Sequence, residues 1–289
     1  MVGALAVARL CEALRTPFAL GGVAWERIPI DPHPGPRPIG EIRGARPLGC
    51  GAVLAGPQTT TPEGIPFSEA RMAAHLGTDT VLVDVSRGTV GAATGIRSAV
   101  EALGCDLLVC VDVGGDVLAR GDEPELASPL CDAIMVAAAR VVSDRVRPLL
   151  AVIGPGCDGE LAAAEVLERT AALGREGAWL GTWGLTPGIA AELETAAATV
   201  PTEASLQVVR CARGETGEAL IRRGRRRVEL GPVGALTFVF DPLAASPASL
   251  PLARAVAGTE SIEQGRAALA ALGVRTELDY ERTRAGEGP

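Results

Sequence analysis

The middle of the chain alternates between short apolar runs and longer amphipathic stretches. Thr80 to Val85 (TVLVDV), Leu107 to Val113 (LLVCVDV), Leu149 to Ile153 (LLAVI) and Ala178 to Thr182 (AWLGT) are β-rich runs with little polar alternation. Helical stretches follow them, from about Thr89 to Leu103, through about Val142, to about Leu173, and from about Pro187 to Ala198. This rhythm predicts βαβ units and a parallel sheet, its strands apolar on both faces because helices cover each side.

The flanks are less regular. Residues 1–15 read as an amphipathic helix, Pro17 to Trp25 holds a strand candidate, and Ile28 to Pro47 reads as a proline-rich loop. Residues 52–55 suggest a short strand and Phe67 to Leu76 a helix. Beyond Thr202 the spacing predicts a helix over about Glu203 to Arg213, a hairpin over Leu220 to Glu229 turning at Gly224, and a strand at Ala235 to Phe240. A last helix, about Ile262 to Leu272, is capped by Ser261 or Thr259, and the tail from Glu281 reads as polar and frayed. The expected fold is α/β, a doubly wound, Rossmann-like, mostly parallel sheet with helices on both faces and a short antiparallel C-terminal edge. One domain would span residues 1–289, with a parallel core in 1–200 and the elements of 201–289 on the same sheet. Such folds open on a strand and a glycine-rich turn. This sequence starts with the helix, so that strand is either absent by design or lies upstream of Met1.

Composition narrows the chemistry. All 27 basic residues are Arg, with no Lys and no Asn in the chain. A Lys Schiff base, a P-loop Lys and a Ser–Lys dyad are therefore excluded. Two histidines, His33 and His75, rule out a three-His zinc site within one chain. The abundance of Ala, Gly, Arg, Pro and Val matches the skew of a high-GC bacterial genome. A net charge of −8 without a basic tail argues against nucleic acid as partner. No apolar stretch reaches the ~20 residues of a membrane span. Seven cysteines without a C-x-x-C motif read as reduced thiols of a cytoplasmic protein.

Ligands of open α/β sheets bind at the carboxyl ends of the strands. Three strand-end loops carry acids: Asp84 with Arg87, Asp112 with Asp116, and Asp158 with Glu160. Converging carboxylates hold a divalent cation such as Mg²⁺, with Asp112 and Asp116 as ligands, or split by repulsion into an acid and a base. The competing expectation is that each Asp caps the helix after it. Arg87 and Arg120 are the guanidinium anchors for an anionic group, unless they pair with neighbouring acids. Gly154 to Gly159 (GPGCDG) matches G-x-G-x-x-G after a strand, but Asp158 and Glu160 would repel a pyrophosphate. Gly114, Gly115, Gly154 and Gly156 are instead expected to shape turns around a ligand, with a nucleotide as the alternative cofactor. Thr186 lies at the same rim and caps the helix that starts with Pro187. The arginine run 222–227 reads as a solvated hairpin tip.

The segments VCVDVGGDVLARGDEPELASPL (109–130), GPGCDGEL (154–161), GTWGLTP (181–187), VPTEAS (200–205) and TFVFDP (237–242) resemble a bacterial and archaeal family known as domain of unknown function 1152. The resemblance runs through almost the whole chain. It implies an α/β protein opening on a strand and a glycine-rich loop similar to a nucleotide-binding turn, and it brings no activity.

Two functions are compatible with these residues. The first is a small-molecule enzyme, a transferase or hydrolase acting on a phosphorylated, nucleotide or carboxylated metabolite. Asp112, Asp116, Asp158 and Glu160 would then be its catalytic carboxylates, and Arg87, Arg120 and the rim glycines would bind substrate. The second is a non-catalytic ligand-binding or complex-forming protein with the same pocket. A homodimer is the expectation for oligomeric state from general frequencies.

Overall fold

Three of the four central apolar runs become strands of one sheet, and the first joins another. The computed structural model describes residues 1–28 and 30–286. Among them, helix α1 (Val2–Ala13) is followed by strands β1 (Gly21–Val23), β2 (Arg46–Pro47) and β3 (Ala52–Ala55), helix α2 (Ser68–Leu76), strand β4 (Thr80–Val83) and helix α3 (Gly88–Leu103). Strand β5 (Leu107–Val113), helix α4 (Pro129–Val141), strand β6 (Arg147–Ile153), helix α5 (Ala163–Arg175), strand β7 (Trp179–Gly184) and helix α6 (Pro187–Ala197) come next. The chain ends with helix α7 (Ala204–Ala212), the hairpin β8 (Gly217–Ile221) and β9 (Arg226–Leu230), strand β10 (Leu236–Phe240), and helices α8 (Pro251–Ala255), α9 (Ile262–Ala270) and α10 (Glu277–Gly286).

The fold is α/β, but its sheets are mixed, which corrects the mostly parallel, doubly wound expectation. One four-stranded sheet has the order β1-β4-β3-β2 and the other β5-β6-β10-β7. In the first, β4 runs parallel to β1 and antiparallel to β3. In the second, β5 and β6 are parallel, and β10 lies between β6 and β7, antiparallel to both. The predicted C-terminal edge strand is therefore central. The physical reason is in its sequence: Thr237, Phe238, Val239 and Phe240 are all buried, so the strand needs cover on both faces. The hairpin behaves oppositely. Ala219, Ile221, Val228 and Leu230 are buried while Glu218, Leu220, Arg227 and Glu229 are exposed, and β8 and β9 pair only with each other, not with the large sheet.

Alternation along β6 shows how the layers form. Leu150 and Val152 join a core that includes Val81, Val83, Ile96, Leu130 and Ile134, so α3 and α4 pack between the two sheets. Ala151 packs with Val7, and Ile153 with Leu5 and Leu193, so α1 and α6 cover the opposite face. Caps mark the ends. Ser261 Oγ accepts from Gln264 N–H at the start of α9, whereas Thr259 hydrogen-bonds Val256 O and Thr89. The tail is not frayed from Glu281, as expected from its polarity. Glu281 is buried in α10 and its carboxylate accepts from Trp25 Nε1 at 3.0 Å and Gly35 N at 2.8 Å. Residues 287–289 of that predicted tail, and Pro29 of the predicted loop, lie outside the described residues. No helix among the described residues is long and apolar enough to cross a membrane.

The central position of β10 has a measurable consequence. Phe240, 1% exposed, fills the space between layers. Phe240→Ala is expected to lower unfolding free energy by about 3–5 kcal/mol, the cost of a large core deletion. Urea titration followed by circular dichroism measures it. A loss below about 1 kcal/mol is what an edge strand would give.

Candidate functional site

The loops after β5 and β6 lie side by side. Gly156 N donates to Gly114 O at 2.8 Å, and Gly114 N to Ile153 O at 3.0 Å. Gly114 has φ +120°, and a Cβ there would stand 2.1 Å from the Asp158 carboxyl carbon. Only glycine lets the Asp158 carboxylate come this close to the β5 loop. Four of the predicted acids meet here. One oxygen each of Asp116, Asp158 and Glu160 lie within 4.8 Å of one another, as do oxygens of Asp112, Asp116 and Asp132. Asp116 belongs to both groups and links them.

Helix α4 supplies the scaffold for this cluster. The first amides of a helix have no partner within it. At the start of α4 these amides, and the two that immediately precede the helix, are satisfied by carboxylates from distant parts of the chain. Glu160 Oε2 accepts from Ala127 N at 2.7 Å and Ser128 N at 2.9 Å, and Glu277 from Leu130 N at 2.9 Å and Cys131 N at 2.8 Å. Ser128 Oγ bridges Glu160 (2.7 Å) and Asp116 (3.1 Å). Asp112 accepts from Gly115 N at 2.9 Å, which closes the β5 turn. The helix N-terminus, with its partial positive charge, helps collect negative side chains.

Cationic compensation is sparse. Arg226 of β9 donates from Nη1 to Gly159 O at 2.9 Å and approaches Glu160 at 3.8 Å. Arg27 pairs with Glu277 at 3.1 Å and lies over the Trp25 ring. Burial is accordingly the largest influence on the acids. It pushes the Asp112 carboxyl up to about 6, and lifts Asp116, Asp132 and Asp158 well above the usual carboxylate range, each raised further by neighbouring carboxylates.

Other predicted site residues lie elsewhere. Asp84 ends a strand of the other sheet and caps its own turn, accepting from Ser86 N at 2.8 Å and Ile39 N at 3.2 Å. Arg87 stands at the start of α3, and among the described residues no hydrogen bond or ion pair joins its guanidinium to the cluster. Arg120 is exposed and reaches Glu168 at 3.8 Å. Thr186 caps α6, accepting from Ile189 N, beyond β10 from the cluster. The glycines are turn formers, as their spacing suggested, but they do not present amides to a ligand. The N–H groups of Gly114, Gly115, Gly154 and Gly156 are all used within the fold, on Ile153, Asp112, Leu236 and Gly114. The G-x-G-x-x-G segment does not open its helix either: α5 begins at Ala163, where Glu165 accepts from Ala162 N at 2.7 Å. A free amide cradle for a pyrophosphate is not formed there.

Three contributors were not read from the sequence: Glu277, which reaches α4 from the C-terminal helix, Asp132 and Arg226. Asp132 lies in the first turn of α4, where an acid reads as ordinary helix-dipole complementation. Arg226 belongs to the run assigned to a solvated tip. The alternation of β9 held the signal: with Val228 and Leu230 inward, Arg226 shares their parity.

The cluster predicts a pH dependence in protein stripped of divalent cations. Groups whose carboxyl pKa is raised by folding bind more protons folded than unfolded, so stability falls as pH rises from the unfolded value through the folded one. For Asp112 that window runs from about 3.8 to about 6. Melting temperature is expected to fall across it and beyond, and Asp112→Asn with Asp116→Asn is expected to flatten the fall. Scanning calorimetry at several pH values checks this; identical slopes in wild type and variant would refute it.

No curated protein and no solved structure matches this chain. One family model, described as protein of unknown function (DUF1152), matches residues 1–285. That span takes in both sheets, the two acidic loops and α10, so the chain belongs to the DUF1152 family.

Proposed function

We propose that this protein is a small-molecule enzyme carrying out group transfer or hydrolysis on an anionic metabolite, with a divalent cation held by the acid cluster. The observation that carries this reading is the convergence of Asp112, Asp116, Asp158 and Glu160, joined by Asp132, at the carboxyl ends of β5 and β6. Six carboxyl groups, counting Glu277, face two guanidiniums, those of Arg27 and Arg226. Such an excess of buried negative charge is costly unless protons or a cation neutralise it. A donor set made only of oxygens suits a hard cation, Mg²⁺, Mn²⁺ or Ca²⁺, rather than zinc or copper.

Asp112, Asp116, Asp158 and Asp132 supply the oxygens, and Glu160 and Ser128 hold them in register with α4. A bound divalent cation would polarise an oxygen of the anionic group. Without a cation, burial and the neighbouring carboxylates favour the protonated forms of Asp116 and Asp158, and binding of the cation would displace those protons. One observation favours the second reading, a non-catalytic ligand-binding protein. Asp116 and Asp158 are 4% and 5% exposed, and neither of two surface cavities, one of about 550 Å³ beside α9–α10 and one of about 280 Å³ between α4 and α8, is lined by the cluster.

Calorimetric titration with Mg²⁺ and Mn²⁺ tests the proposal. Wild type is expected to bind and to gain melting temperature by mass action. Asp116→Asn or Asp158→Asn is expected to weaken binding at least about tenfold, since each removes a charged ligand. Unchanged binding in both variants would overturn the site. Cation binding with no turnover of phosphorylated, nucleotide or carboxylated metabolites would favour the non-catalytic reading.

A further inference from the structure

The hairpin tip beside the cluster combines charge, strain and position. Arg222 and Arg223 have φ +54° and +58°, followed by Gly224 at +79°. Two successive non-glycine residues in the left-handed region are strained relative to an ordinary conformation, and such backbone strain concentrates at functional sites. A turn of this shape ordinarily takes Asn, Asp or Gly. Here it takes two arginines and points their side chains to solvent, with Arg225 also exposed. Among the described residues, no carboxylate pairs with the guanidinium of Arg222, Arg223 or Arg225; Arg225 Nε donates to Arg222 O at 3.1 Å, and the Glu203 carboxylate accepts from the Arg222 backbone N–H. Their neighbours in the hairpin are committed: Arg227 pairs with Glu218, and Arg226 turns inward to Gly159 and Glu160.

Position ties this tip to the cluster. The Arg227 carbonyl and the Arg226 Cβ lie 3.1 Å and 3.3 Å from where a Cβ on Gly159 would stand. Thus β9 enters against the loop carrying Asp158 and Glu160, and the three guanidiniums without a carboxylate partner among the described residues lie one to four residues before that contact. A cluster of this kind suits a multiply charged group. One guanidinium fork satisfies a single carboxylate, whereas a diphosphate can engage several forks at once.

We propose that Arg222, Arg223 and Arg225 form an anion subsite that binds the phosphorylated end, a diphosphate or similar group, of the metabolite handled at the acid cluster. This rests on the function proposed above and names its substrate class: phosphorylated rather than carboxylated.

The test uses inorganic pyrophosphate and the full chain, with divalent cations removed and ionic strength held constant. Calorimetry is expected to show binding to wild type. The triple variant R222A/R223A/R225A is expected to bind at least tenfold more weakly. The charge-matched control R43A/R175A/R284A, at exposed arginines elsewhere, is expected to bind like wild type. R222K/R223K/R225K, which keeps charge but loses the fork, is expected to fall between them. Equal affinity in the tip variant and wild type would overturn the proposal. So would absence of binding to wild type, or equal weakening in the control. Tighter binding of a short oligoribonucleotide than of pyrophosphate would also overturn it, by assigning the tip to nucleic acid. Because no cation is present, loss of Mg²⁺ binding at Asp116 and loss of pyrophosphate binding at the tip are read separately.

Discussion

The unpaired amides at the start of α4 organise this structure. A helix N-terminus buried between two sheets cannot leave its donors to water. Here Glu277 from α10 takes Leu130 N and Cys131 N, and Glu160 from the β6 loop takes the amides just before the helix, Ala127 N and Ser128 N; the two acids are 117 positions apart in the chain. This requirement draws the C-terminal helix onto the core and brings the two acidic loops together. Asp132 then comes from the same helix turn, and Ser128 bridges Asp116 to Glu160.

The cost of that arrangement is an excess of buried acid. A cluster built only to satisfy α4 would need two carboxylates, yet Asp112, Asp116, Asp132 and Asp158 are there as well. Of these, Asp112 closes its own turn, and among the described residues Asp158 accepts only from Glu160 N at 3.2 Å. Like charges at this density are unfavourable, and burial raises their pKa values in the same direction. Structural ion-pair networks perturb acids as well, but here the buried acids outnumber the cations that pair with them. Beside the cluster stands the hairpin, whose tip guanidiniums have no carboxylate partner among the described residues, and Arg226 makes the contact between hairpin and cluster.

The glycines of the two loops have a different role from a phosphate cradle. Their amides are spent inside the fold, and what they provide is the absence of a side chain. Gly114 makes room for the Asp158 carboxylate and Gly115 for Val166. The G-x-G-x-x-G pattern therefore reports close packing of two loops. The same letters followed directly by a helix would report free amides, and sequence does not separate the two cases.

Local pattern was enough for much of this protein. The strands at 107–113 and 52–55, the helices after each apolar run, the caps at Thr186 and Ser261, and the pairing of acids on strand-end loops were all legible, because each depends on neighbours within a few residues. Only the tertiary structure decided which strands share a sheet. The run at 80–83 pairs with 52–55, which removes Asp84 from the cluster, and the run at 236–240 inserts between β6 and β7. It also decided that Asp132, Glu277 and Arg226 join the site. The apolar letters of Phe238 and Phe240 announced burial but not which strands would flank them. Pairing partners are chosen by how whole layers exclude water, and that choice is made between segments far apart in the chain, where no local spacing records it.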